Sequence, residues 1–185
     1  MASPLLLLLP LAAAAPPPPA LPASHTVSWK GWGAGSQLVV DSTVVSWTNP
    51  TPSHEQGTWT VTSNDGKQVS VALKIVQDGG QPRTYEYTYP EETVVQFASA
   101  SKGPGPESAG GEAPEQAVGW ESVTVPAGRF DALKTVSERT IIDAGSAYTK
   151  WWADSVPLPV QGLSTTEAKG GQTIATSTLT SMVRK

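Results

Sequence analysis

The sequence contains no cysteine, which excludes disulfide bridges, thiolate metal ligands, a cysteine nucleophile and the lipid-bearing cysteine of a bacterial lipobox. A chain without crosslinks must rely on an ordinary core, and 185 residues are enough for one domain of the usual size. The absence also suits export, where a stray thiol would oxidise. Charged residues are scarce at 15%, and no block of Lys or Arg interrupts a net charge of −4. Phosphate backbones are bound through clustered cations, so no nucleic-acid partner is expected. A basic amphipathic helix is missing too, which argues against charge-driven attachment to a membrane surface. Histidine is limited to His25 and His54, with no H-x-x-x-H or H-E-x-x-H spacing and no acidic cluster nearby. Neither a metal site nor a cofactor is expected, and both histidines are read as ordinary exposed residues. Helical periodicity is equally sparse: Glu91–Ala100 is the one candidate for a short helix.

Long apolar runs occur only at the front. Leu5 to Leu9, followed by Pro10, Leu11 and Ala12 to Ala15, match the core of a signal peptide and are too short to span a bilayer. Cleavage is expected after Ala14, with Ala12 at the −3 position. Pro16 to Pro19 and Pro22 then form a stiff, extended spacer. Residues 1–24 are accordingly expected to be leader and spacer, the mature chain to lack a transmembrane span, and the location to be periplasmic or secreted.

What the chain has in quantity is Thr, Val and Ser, with 17 Gly and 17 Pro to make turns. β-branched side chains pack well on a pleated surface. His25 to Trp32, Gln37 to Trp47 and Thr58 to Thr62 read as strands. Val69, Val71, Leu73 and Ile75 alternate with Ser70, Ala72 and Lys74, the clearest period of two in the sequence. Ser63-Asn64-Asp65-Gly66 before this run and Asp78-Gly79-Gly80 after it are hairpin turns. Arg83 to Tyr89 returns with Tyr85, Tyr87 and Tyr89 on one face. A segment at about 99–116, rich in Gly, Pro, Ser and Glu, is expected to be a disordered insertion. Strand-like runs resume from Val118 to Val125, Arg129 to Ile142, Ser146 to Trp152, Val160 to Glu167 and Thr173 to Val183. The expected fold is all-β: one domain over 25–185, built as a single strongly curved antiparallel sheet with few or no helices.

Chemistry-bearing motifs are few. There is no G-x-S-x-G elbow, and Gly31-Trp32-Gly33-Ala34-Gly35 precedes a strand and lacks a phosphate-loop Lys, so it reads as a tight bend. Glu91 and Glu92 are adjacent and would point to opposite faces of a strand, while Asp131, Glu138, Asp143 and Asp154 are scattered near strand ends. No catalytic residue is assigned. Seven Trp are the remaining signal. Aromatic side chains usually fill a core, but Trp59, Tyr85, Tyr87, Tyr89, Trp120, Trp151 and Trp152 are the candidates for a ligand surface. Trp151 and Trp152 are neighbours, so on a strand they must face opposite sides.

The segment Glu121-Ser122-Val123-Thr124-Val125-Pro126-Ala127-Gly128-Arg129-Phe130-Asp131-Ala132 resembles the V-x-V-P-A-G-x-F-x-A hairpin of bacterial envelope proteins related to the LolA/LolB lipoprotein-carrier fold. Tyr148 to Trp152, Asp154 to Leu158 and Val160-Gln161-Gly162-Leu163 follow in the order seen there. Pro126 halts the ladder, Gly128 permits the reversal and Phe130 anchors the returning strand. The resemblance implies a half-barrel or LolA-like sheet whose concave side holds an apolar ligand, either lipid or acyl chain, or an envelope protein partner. A carbohydrate-binding module with exposed Trp and Tyr, and a glycoside hydrolase with paired carboxylates, are the alternatives.

Overall fold

Period-two alternation does what it predicts. The computed structural model describes residues 20–97, 114–141, 144–168 and 170–185. Residues 1–19, with the proline run, and residues 98–113, which take in most of the insertion expected at 99–116, lie outside the described residues. Glu115 and Gln116 at its end are ordered, Gln116 opening a strand. The strands are β1 (Ser24–Ser28), β2 (Gln37–Ser46), β3 (Asn49–Asn64), β4 (Gln68–Gln77), β5 (Arg83–Pro90) and β6 (Glu92–Gln96). After the insertion come β7 (Gln116–Val125), β8 (Gly128–Ile141), β9 (Ala144–Trp152), β10 (Gln161–Ala168) and β11 (Gly171–Val183). No helix occurs among the described residues.

Nine strands form one antiparallel sheet in the order β5-β4-β3-β2-β11-β10-β9-β8-β7, while β1 and β6 pair separately as a two-stranded ribbon. The single sheet is thus joined by a second, smaller one. Glu92–Gln96 is a strand rather than the start of a helix: Thr93, Val94 and Val95 are β-branched, and each meets a β1 residue, with His25 opposite Val95 and Val27 opposite Thr93. Tertiary pairing outweighs the weak local preference for helix.

The sheet has to curl. In the strand order β4 and β7 are seven spacings apart, about 34 Å in a flat sheet at about 4.8 Å per strand. Yet Val69 and Val71 of β4 and Val123 and Val125 of β7 belong to one buried cluster, with Leu38, Val61, Phe130, Val160 and Leu179. The tip of the β7–β8 hairpin reaches β11, where the Ala127 amide donates to the Leu179 carbonyl at 3.4 Å. The hairpin behaves as its residues suggest. Val125 pairs with Gly128, Phe130 is buried, and Gly128 sits at φ +143, where a Cβ would be strained and would also touch the Phe130 ring at 3.7 Å.

β3 is longer than its apolar run, because Pro50 and Pro52 fall inside it. They are tolerated for a positional reason: β4 pairs with β3 only from Glu55 onward, so the two prolines sit where only β2 is alongside. At the neighbouring hairpin, between β10 and β11, close approach selects glycine. A Cβ on Gly171 would lie 2.6 Å from the Trp47 side chain that lies against that turn.

Leu179 is fully buried at the junction of both arms. Leu179→Ala is expected to cost about 3 kcal/mol, as deletions of a buried Leu side chain do. The check is urea unfolding, with the midpoint falling and the slope unchanged.

Candidate functional site

Two groups of aromatic side chains emerge, one at each edge of the large sheet. At the β5 edge the rings form a ladder. Trp59 stacks on Tyr87 (centroids 6.0 Å apart), Tyr87 on Tyr89 (5.9 Å) and Tyr89 on Trp29 (6.0 Å), which meets Trp32 edge-on at 6.4 Å. The Arg184 guanidinium closes the row 4.6 Å above the Trp32 ring. Trp29 and Trp32 are buried core, whereas Tyr85 and Tyr87 remain 41% and 38% exposed. The row therefore runs from a dry anchor to a wet end. Burial, and next the neighbouring Tyr87, hold the Tyr89 hydroxyl above the ordinary tyrosine pKa. Thr84, Glu86 and Thr88, which alternate with the tyrosines, are all exposed.

At the other edge Trp151 and Trp152 do face opposite sides. Trp151 packs against the main core, its indole N–H donates to Glu121 at 2.9 Å, and Lys134 stands 5.2 Å over its ring while pairing with Glu121 at 3.2 Å. The indole bond, and then Lys134, hold the Glu121 carboxyl below the usual range. Trp152 is buried on the far face. Its N–H is shared between Thr135 Oγ1 (3.2 Å) and Glu115 (3.3 Å). Glu115 also accepts from Thr135 Oγ1 at 2.9 Å and pairs with Lys150.

His25 corrects the sequence reading. It is only 6% exposed, its ring lies 5.1 Å from that of Trp152, and its Nε2 has no hydrogen-bond partner among the described residues. Burial depresses its pKa, against a smaller opposing pull from Asp154 and Glu115. Alternation in β1 was the available signal, since it places His25 and Val27 on one face and Ser24, Thr26 and Ser28 on the other. That the ribbon would dock on Trp152 was not local information. His54 is exposed as expected, with Nδ1 3.1 Å from Thr43 Oγ1.

Beside His25 opens a cleft of about 380 Å³, lined by Pro22, Ser24, His25, Thr26, Ser28, Trp120, Leu133 and Asp154. Of the seven aromatic candidates only Trp120 lines it. Trp59, Tyr85, Tyr87 and Tyr89 gather at the opposite edge, while Trp151 and Trp152 are occupied by core and carboxylates. Asp131 and Glu138 stand exposed on β8, Glu92 accepts from Ser28 Oγ at 3.3 Å, and Asp143 lies outside the described residues. No group of three His, Cys, Asp or Glu suited to a metal occurs among the described residues.

No family model and no curated protein sequence matches the chain. Solved structures do. A candidate exported protein from Bacteroides fragilis, described as having a YmcC-like fold, is similar with a TM-score of 0.50 and 11% identity over 82% of this chain and 96% of that one. A candidate lipoprotein from Parabacteroides distasonis gives a TM-score of 0.50 and 9% identity over 82% and 97%. The shared feature is the fold alone.

His25 should act as a pH-dependent clasp on stability. Its folded pKa is depressed, so the unfolded chain takes up the proton first as pH falls. The contribution of the neutral ring is complete above about pH 6.5 and is lost as pH drops from there towards the folded value. Between neutral and mildly acidic pH the urea midpoint should therefore fall more steeply for the wild type than for His25→Gln. Equal slopes would show that His25 does not titrate in this way.

Proposed function

We propose that the chain is an exported envelope protein that binds rather than catalyses, and that its ligand is a polysaccharide laid along the β5 edge. Export is supported by the leader-like residues 1–24 and by the fold shared with proteins described as a candidate exported protein and a candidate lipoprotein. The reading as a binding protein rests on the half-exposed aromatic row at the β5 edge. The observation that carries the ligand class is the wet end of the ladder: Tyr85 and Tyr87 exposed on an edge strand, braced from behind by Trp59, with hydroxyl and charged neighbours. Sugar rings present C–H faces that lie against aromatic faces, and their hydroxyls find Tyr, Thr and Glu partners around them.

An acyl chain, the ligand that kinship with LolA/LolB carriers would bring, needs a wall of Val, Leu and Ile. Two rows crossing the middle of the sheet are instead Ser42–Ser177–Gly162 and Val44–Ala175–Ser164, in which three of the six residues are serine and only Val44 is a branched aliphatic. The cleft lining is mixed, with hydroxyls and a carboxylate that a lipid tail would leave unpaired.

Screening the purified chain on a polysaccharide array, followed by calorimetry on the best hit, tests this. Tyr85→Ala/Tyr87→Ala should weaken binding at least about tenfold, near 1.4 kcal/mol, with little change in the unfolding midpoint. A chain that binds no glycan, and whose native mass spectrum carries an acyl lipid, would refute the proposal.

A further inference from the structure

The cleft beside β1 lies at the edge of the sheet remote from the tyrosine row. We infer that it is a separate site for one neutral, polyhydroxylated ring, a monosaccharide or the terminal residue of a glycan, with Trp120 as its stacking platform. Trp120 pairs across the strand with the fully buried Leu133 yet keeps 38% of its own surface exposed. An indole beside an apolar floor in a concave site is what a sugar's C–H face requires.

The polar groups complete the match. Ser24, Thr26 and Ser28 alternate along β1, so their hydroxyls share one side of the strand at a repeat of about 6.8 Å. Ser28 Oγ is engaged with Glu92 and the Lys30 amide, at 3.3 and 3.2 Å, whereas the Ser24 and Thr26 hydroxyls have no partner among the described residues. Asp154 adds an exposed carboxylate that can accept from two adjacent hydroxyls. His25, more than nine-tenths buried in the wall, brings the ring nitrogen that is orphaned among the described residues.

Charge narrows the class further. No Lys or Arg lines the cleft, and Asp154 is its one charged group, with Glu115 held just behind by Lys150 and Trp152. Phosphates and carboxylates would be repelled, and the hydroxyls beside the indole suit a hydroxyl-rich ligand without negative charge. The volume, about 380 Å³, falls within the roughly 300–1,000 Å³ of small-molecule sites.

The test is a ¹⁵N-indole NMR titration of the full chain with methyl glucoside, methyl galactoside and N-acetylglucosamine, each up to tens of millimolar, the Trp120 resonance being assigned with Trp120→Phe. At least one sugar should shift the Trp120 indole and saturate. Trp120→Ala and Asp154→Asn should each weaken that sugar by tenfold or more, while Tyr85→Ala/Tyr87→Ala leaves it unchanged. Insensitivity to the tyrosine change separates this cleft from the β5 edge, so either site can fail alone. Should Trp120→Ala not fold, Thr26→Val removes one hydroxyl and is expected to weaken binding severalfold. An indole that no sugar moves, or one moved by tetramethylammonium and not by sugars, would overturn the assignment.

Discussion

The β7–β8 hairpin lies against β11, and without that contact the molecule would be a long sheet with a wet apolar face. There is no cysteine to hold the arms together, and nine antiparallel strands leave two edges open. Hydrophobic burial has to perform the closure. Leu179 is where it happens: its amide donates to Val160, its carbonyl accepts from Ala127, and its side chain joins the cluster shared by β2, β3, β4 and the hairpin. Small residues along the central rows let the sheet bend there, since Gly162 faces Ser177 so closely that a Cβ would lie 2.5 Å from the Ser177 hydroxyl.

That closure decides the roles of the aromatic residues. Where the curl brings strands together, Trp29 and Trp32 are sealed inside, while Trp152 is covered on the far face by His25 of β1. At the two edges, where no further strand arrives, Tyr85, Tyr87 and Trp120 stay half in water. The exposed rings are not a defect of packing, because each stands against a buried or half-buried partner: Tyr85 across from Leu73, Tyr87 on Trp59, Trp120 beside Leu133. Rigid, half-solvated aromatic faces of this kind offer contact area at little cost in side-chain entropy. The same topology makes the centre of the sheet dependent on the whole chain, since Gln37 pairs with Val183. Such distant pairing slows folding relative to local hairpins.

Local signals carried far along this chain. Val69, Val71 and Leu73 alternate into the core as written, the Asn64-Asp65-Gly66 turn is held by the Asn64 and Asp65 side chains at 2.9 and 2.8 Å, and the Val125–Gly128 reversal is where its Pro and Gly place it. Trp151 and Trp152 were bound to part company as soon as they lay on a strand. The candidate site was less legible. The seven aromatic candidates fall into two groups at opposite edges, which the sequence does not show, and His25, read as exposed, is a wall of the cleft.

By itself the sequence determined the strands, the turns and which side chains share a face, because a pleat repeats every two residues and a reversal needs particular backbone angles at particular positions. Tertiary structure alone decided which strands became neighbours, that Glu92–Gln96 would pair with β1, and which rings were left in water. Those outcomes depend on burying one face against another some tens of residues away, and the free energy of that burial belongs to the assembled sheet rather than to any segment of it.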